Sequence, residues 1–364
     1  MNNDTVIFYA PVGTDLPPHL LGGGEIGCRR TREILMDGGY KVITIDKPNM
    51  GGGLIKYVKS AFNGYRLILK NLLNNKKAIL YIVGFYEKNI LLEWIILLTG
   101  KMLKYKIIYE ARNGRMVKAY QEYGKIYKML MDFILKKADI VFCQGIEYME
   151  FIKQKYRKHS VYTPNYVLNK NLRKYNANRP LEIIQLIYFG RVTESKNVSV
   201  LIDTCGQLLN RGYRVEATII GAYSEEYKEI LVQRIVELGI PDITIRILGQ
   251  LPFDQISTEL QKAHFFIFPS QEKKEGHSNS LTEAMTFGVV PVVSAVGFNS
   301  SIVAMPELVV NEIDAEKYVN IIDKIIQDDS WSRYSLSSYN RAKENYTEDS
   351  VKESILTAIG KISC

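Results

Sequence analysis

Cysteine is scarce in this chain. Cys28, Cys143, Cys205 and Cys364 are scattered and form no Cys-x-x-Cys pair, which excludes a zinc-finger pattern and a disulfide framework. Histidine is as rare, and His19, His159, His264 and His277 show no metal-ligand spacing. No Asp-x-Asp occurs, and the nearest approach is Asp328-Asp329 in the late part of the chain. Long apolar runs are also missing. The longest, residues 90–98, is interrupted by Glu93 and is far too short to span a bilayer. The polar start, residues 1–4, lacks the basic opening and small-residue cleavage site of a signal peptide. A cytoplasmic location is expected from these absences. No low-complexity tract or short repeat appears, so disorder and solenoids are excluded as well.

What is present is an ordinary folded composition: 364 residues, 46% hydrophobic and 24% charged. That length suits two domains. The net charge of +8 is uneven, because Lys and Arg crowd residues 56–170. One reading of this is a solvated surface, and the other is attraction to an anionic partner. No nucleic-acid recognition motif accompanies the charge, so nucleic acid is not expected as a partner. Tyr57, Phe62, Tyr65, Trp94, Ile95 and Ile96 are interleaved with the cations. That mixture suggests peripheral contact with an anionic membrane leaflet.

Short apolar runs alternate with segments of helical length. Strands read at Thr5–Ala10, Lys41–Asp46, 78–83, 106–110 and 140–144. The pattern pauses in an Asn-rich stretch at 164–180, taken as a linker, and then resumes. Further strands read at 183–189, Val215–Ile220, 243–248, 265–269 and 289–294, with helices starting near Val198, Glu225, Phe253 and Asn279. The tail beyond Asp314 reads as helical. This rhythm predicts βαβ units and two doubly wound α/β domains in tandem. Open parallel sheets bind ligands at the carboxyl ends of their strands.

The most informative segment runs from Glu275 through Gly276-His277-Ser278-Asn279-Ser280-Leu281-Thr282 to Glu283. It predicts a loop carrying Glu275 and a helix start at Asn279, Ser280 and Leu281, with Glu283 in the first turn. The free N–H groups there suit a phosphate, and a carboxylate suits sugar hydroxyls. The alternative is that Ser280-x-x-Glu283 is a capping box serving helix stability alone. A second segment is Tyr188-Phe189-Gly190-Arg191, followed by Lys196, at the end of a strand. Gly190 permits close backbone approach, and Arg191 and Lys196 suit a pyrophosphate. A third, Gly22-Gly23-Gly24-Glu25-Ile26-Gly27, matches Gly-x-Gly-x-x-Gly, and Asp46 lies 19 residues beyond Gly27. That is dinucleotide-binding arithmetic, yet prolines separate the glycines from the preceding strand. The glycines therefore read better as a loop closing on a donor phosphate. Glu110 and Arg112, ending a strand of the first domain, are acceptor-side candidates, with a salt-bridged pair as the alternative.

Together these segments resemble the family-4 glycosyltransferases, retaining enzymes of the GT-B fold. The paired acids separated by seven residues match Glu275 and Glu283. The Gly-Arg and following Lys match Gly190, Arg191 and Lys196, and the glycine-rich first loop resembles Gly22, Gly23 and Gly24. The resemblance implies two Rossmann-like domains facing across a cleft: 1–168 for the acceptor, 181–340 for the nucleotide sugar, and 341–364 crossing back to the first. It implies that Glu283 holds the nucleotide ribose, that Glu275 contacts the donor sugar, and that Arg191 and Lys196 neutralise the leaving diphosphate. No metal or other cofactor is expected. Two departures stand out: no His occurs near Glu110 and Arg112, and residues 295–300 lack the family's Gly-Gly and Glu. The implied activity is transfer of a sugar from a nucleotide sugar to a saccharide or lipid-linked saccharide in surface polysaccharide or lipopolysaccharide assembly. A catalytically silent GT-B binding module and an NAD-dependent dehydrogenase are the alternatives.

Overall fold

A computed structural model describes residues 4–14, 22–48, 53–84, 89–112, 114–272 and 275–362. It divides the chain into two compact units. The first comprises described residues of 1–165 and 349–364, and the second comprises 166–348.

The first unit holds β1 (Thr5–Ala10), α1 (Gly23–Asp37), β2 (Lys41–Asp46), α2 (Leu54–Asn74), β3 (Ile79–Gly84) and α3 (Ile90–Met102). It continues with β4 (Lys106–Ala111), α4 (Met116–Glu122), α5 (Lys125–Lys137), β5 (Ile140–Cys143), α6 (Ile146–Tyr156) and β6 (Val161–Tyr162). Its sheet is parallel, in the order β2-β1-β3-β4-β5-β6. The strands are near-continuous apolar runs because helices bury both faces; β3 is buried at every position. Phe8, Tyr81 and Phe142 pack at steep angles across the middle, with ring centroids 5.0 and 5.8 Å apart.

The second unit repeats the plan. Its first half is β7 (Ile184–Phe189), α7 (Ser199–Asn210), β8 (Val215–Ile220), α8 (Glu225–Glu237), β9 (Ile245–Leu248), α9 (Phe253–Lys262) and β10 (Phe265–Phe268). Then come α10 (Asn279–Met285), β11 (Val290–Ser294), α11 (Asn299–Val303), β12 (Val309–Val310), α12 (Ala315–Gln327) and α13 (Trp331–Asn345). The sheet order is β12-β11-β10-β7-β8-β9, again parallel. In both sheets the first strand of the unit lies inside and the order reverses beside it. That is where open α/β sheets place their ligands.

The last helix, α14 (Glu348–Gly360), lies with the first unit from Asp349 onward. Its Lys352 reaches Asp37 at 3.1 Å, and Leu356 packs where a side chain on Gly38 would stand. The two-residue edge strands β6 and β12 were not expected, since two residues carry no readable period.

Candidate functional site

The second unit gathers its polar groups at the carboxyl ends of β7, β10 and β11. β7 ends in Tyr188-Phe189, and the chain turns through Gly190 at φ +140. That φ strains any side chain, and a Cβ would stand 3.7 Å from Ser280 Oγ. The strand end and the start of α10 are therefore neighbours. Beyond Gly190, Arg191 is exposed, and its guanidinium makes no hydrogen bond or ion pair among the described residues. A single 3-10 turn, Glu194–Lys196, then directs Lys196 inward.

Lys196 meets Glu275. Its Nζ lies 2.5 Å from Glu275 Oε2, and both side chains are 9% exposed. Ser270 Oγ donates to the same oxygen at 2.6 Å. Oε1 accepts nothing among the described residues and is the oxygen left for another partner. The ammonium also lies 5.5 Å from the centre of the Phe268 ring, a favourable face for a cation. Tyr188, Phe266 and Phe268 form a stacked apolar floor. Burial, and then the charge of Glu275, raise the Tyr188 hydroxyl well above the usual phenol range.

Ser270 is held in turn. Its carbonyl accepts from Ser294 Oγ at 2.7 Å, and the carbonyl of Ser294 accepts from Asn299 Nδ2 at 3.1 Å. Asn299 is fully buried, and its Oδ1 has no partner among the described residues. Gly297 closes the arrangement. It sits at φ +61, with its Cα against the carbonyl of Glu275, so a Cβ would strike that carbonyl. The backbone of Glu275 is fixed by this contact while its carboxylate is fixed by Lys196 and Ser270.

The start of α10 differs from expectation. The cap is Ser278, whose Oγ accepts from Leu281 N at 3.3 Å; Ser280 only exchanges a 3.1 Å hydrogen bond with Ser278. The Ser280-x-x-Glu283 capping box does not form, because the helix begins one residue earlier than Ser280 and Glu283 falls in its second turn. Glu283 is half-buried, so helix capping no longer accounts for it. Asn279 Oδ1 is buried with no partner among the described residues.

In the first unit, Glu110 and Arg112 form a buried pair. Glu110 accepts from Arg112 Nε at 2.7 Å and from Tyr81 Oη at 2.9 Å. Arg112 also donates to Thr31 Oγ1 at 2.8 Å, and its Nη1 packs against Gly27. Glu110 is fully enclosed, so the pair ties β4 to α1. Gly22 precedes α1 as its cap residue, while Gly23 and Gly24 open the helix with no side chain capping it. Asp46 accepts from Val12 N, Thr14 N and Thr14 Oγ1 at 2.7–2.9 Å. Its carboxylate thus organises the loop after β1, and no ribose is needed to explain it.

Sequence reasoning missed Ser270, Ser294 and Asn299. Ser294 ends β11 and Ser270 lies two residues past the end of its parallel neighbour β10, and position alone would have flagged them. It also took Glu93 only as a break in an apolar run. Glu93 is fully buried, paired with Lys47 at 2.5 Å and accepting from Tyr109 Oη at 2.7 Å. Among the described residues no group of three or more His, Cys, Asp or Glu could hold a metal, and no helix is long and apolar enough to cross a membrane.

Comparison with known proteins falls on the same stretch. Residues 171–348 match the family model described as glycosyl transferases group 1, which is nearly the whole second unit. Similar proteins include the O-antigen chain mannosyltransferase B of Escherichia coli, 29% identical over 145 residues, 40% of this chain and 37% of that one. Another is the amylovoran biosynthesis glycosyltransferase AmsK of Erwinia amylovora, 31% identical over 124 residues, 32% of this chain and 28% of that one. These matches span about a third of the relatives' own length. The fold is the GT-B fold, seen over the full length of solved structures. Sucrose-phosphate synthase from Thermosynechococcus elongatus superposes with TM-score 0.75 at 15% identity, covering 99% of each chain. Anabaena Alr3699/HepE in complex with UDP gives 0.71 at 12%, covering 98% of this chain and 100% of that one.

Proposed function

We propose that the chain is a retaining, metal-independent glycosyltransferase that moves a sugar from a nucleotide-sugar donor to a saccharide or lipid-linked saccharide. The observation that carries this reading is the enclosed Lys196–Glu275 pair beside Gly190, Arg191 and the start of α10, inside the stretch that matches glycosyl transferases group 1. Departure of a nucleoside diphosphate leaves negative charge on its phosphate oxygens. Arg191 offers a planar fork to that charge, Lys196 a point charge, and the first N–H groups of α10 further donors. In this reading Glu275 Oε1 accepts from a sugar hydroxyl and Glu283 holds the ribose.

The relatives that build O-antigen and amylovoran support a role in surface polysaccharide assembly. The first unit would take the acceptor and the second the donor, at the cytoplasmic face of the membrane. The test is a panel of UDP-, GDP-, ADP- and CMP-linked sugars, read by melting temperature and by release of free nucleotide. A ligand at 100 times its dissociation constant adds about 2.7 kcal/mol. A stabilising donor with release on adding acceptor supports transfer. Stabilisation without release from any donor and acceptor pair would leave a binding module instead.

A further inference from the structure

The outward face of α2 sets large apolar side chains beside cations. Gly64, Ile68 and Leu72 bury its inner face against the sheet. Flanking that buried face the helix exposes large apolar side chains, led by Ile55 at 75% and Phe62 at 69%. Ile55, Val58 and Phe62 stand at i, i+3 and i+7 and so make one stripe. Lys59, Arg66 and Lys70, at i, i+7 and i+11, make a second stripe beside it, and all three are exposed.

The charge pattern distinguishes this face from other exposed apolar residues. Residues 47–86 contain no Asp or Glu. A second helix, α8 of the other unit, also exposes Ile230, Val232 and Val236. There the apolar groups stand among Glu225, Glu226, Glu229 and Glu237. α2 packs on α3 and α3 on α5, and α5 adds a shallow hollow where Lys125, Lys128, Lys136 and Lys137 outnumber a single acid, Asp132.

We infer that α2 is the docking helix of this protein for an anionic lipid bilayer, with Ile55, Val58 and Phe62 entering the headgroup boundary and Lys59, Arg66 and Lys70 meeting lipid phosphates. An interfacial helix needs this pairing of an apolar stripe with flanking cations. A positive face without acids draws it to negative lipid, while the apolar groups supply depth that charge alone lacks. The inference deepens the proposed membrane-face location, but its readout is independent of sugar transfer, so either reading fails without the other.

The experiment is co-sedimentation of the full chain with phosphatidylcholine vesicles, with and without a third of phosphatidylglycerol. Wild type is expected to bind the anionic vesicles and to release in high salt. The triple variant K59Q/R66Q/K70Q is expected to bind about a hundredfold more weakly, at roughly fivefold per cation. I55S/F62S is expected to lose binding that salt does not remove. I230S/V236S on α8, the same kind of change at two exposed apolar positions of the other unit, is expected to bind as wild type. Far-UV circular dichroism confirms folding of each variant. Equal binding to neutral and anionic vesicles, wild-type binding by both α2 variants, or equal loss in the α8 control would each overturn the assignment. So would a wild-type chain that ignores vesicles and pairs through α2 with a second copy in sedimentation velocity.

Discussion

Lys196 and Glu275 stand 79 positions apart in the chain and 2.5 Å apart in space, in a pair nearly closed to water. Removing one partner strands the other charge. Lys196→Met is expected to cost about 3–5 kcal/mol of stability and to lower turnover by about 10²- to 10³-fold. Glu275→Gln should cost less stability, because an amide tolerates burial better, with a similar loss of turnover. Denaturant unfolding and initial rates measure both. A Lys196→Met protein with wild-type stability and rate would remove the pair from the mechanism.

Ser270 holds the oxygen of Glu275 that Lys196 also holds. Ser270→Ala is expected to lower kcat by about tenfold, the equivalent of one charged hydrogen bond of about 1.5 kcal/mol. The KM for the donor should stay within about twofold. A rise in KM with kcat unchanged would mean that Ser270 shapes the binding site and leaves the orientation of Glu275 alone.

Ser278 and Glu283 separate helix stability from ligand contact. Ser278→Ala removes the cap of α10 and should cost about 1 kcal/mol of stability. Glu283→Ala should raise the donor KM while costing less stability than Ser278→Ala. If instead Glu283→Ala lowers the melting temperature as much as Ser278→Ala, its role is structural.

His264 sets a pH dependence at the other end of the same sheet. Burial and the nearby charge of Arg179 push its imidazole down to about 4 from 6.5, and its Nδ1 accepts from Gln185 N at 3.0 Å. The folded chain therefore keeps it neutral while the unfolded chain takes up a proton below about pH 6.5. This stabilisation is complete above pH 6.5 and is lost as pH falls toward 4, by about 3 kcal/mol in all. Urea unfolding across that range should show the decline, and His264→Gln should flatten it. An unchanged slope in the variant would assign the acid sensitivity elsewhere.

Metal removal tests how the leaving diphosphate is neutralised. Activity is expected to be unchanged by EDTA, and Arg191→Lys to rescue only part of what Arg191→Ala loses, since the bidentate fork is gone. Activity abolished by EDTA and restored by Mg²⁺ or Mn²⁺ would place that charge on a metal.

Strand positions were readable in the sequence because a parallel sheet covered on both faces writes each strand as a short apolar block. Lys41–Asp46 and Val215–Ile220 fell at the positions read from those blocks. Glu275 and Lys196 could be singled out because each lies on the loop that follows such a block, before a helix start, although a solvated surface charge reads the same way. Ser270 and Asn299 were not, since a serine or asparagine in a loop has many ordinary uses, and only the geometry joins them to Glu275. The capping serine was misread by two positions because Ser278 and Ser280 both suit a helix start. Glu110 and Glu93 show a different gap. No pattern along the chain reveals that a carboxylate has a buried cation from another element beside it.

The return of α14 to the first unit has a consequence for synthesis. Residues 166–348 are contiguous, so the second unit is complete once Glu348 has left the ribosome. The first unit, although its sheet is made before the second unit, lacks the helix that brings Lys352 to Asp37 and Leu356 to Gly38 until residues 349–360 emerge. The unit whose sheet is made earlier is thus completed later, and its flank at Asp37 and Gly38 is covered only when α14 has been made.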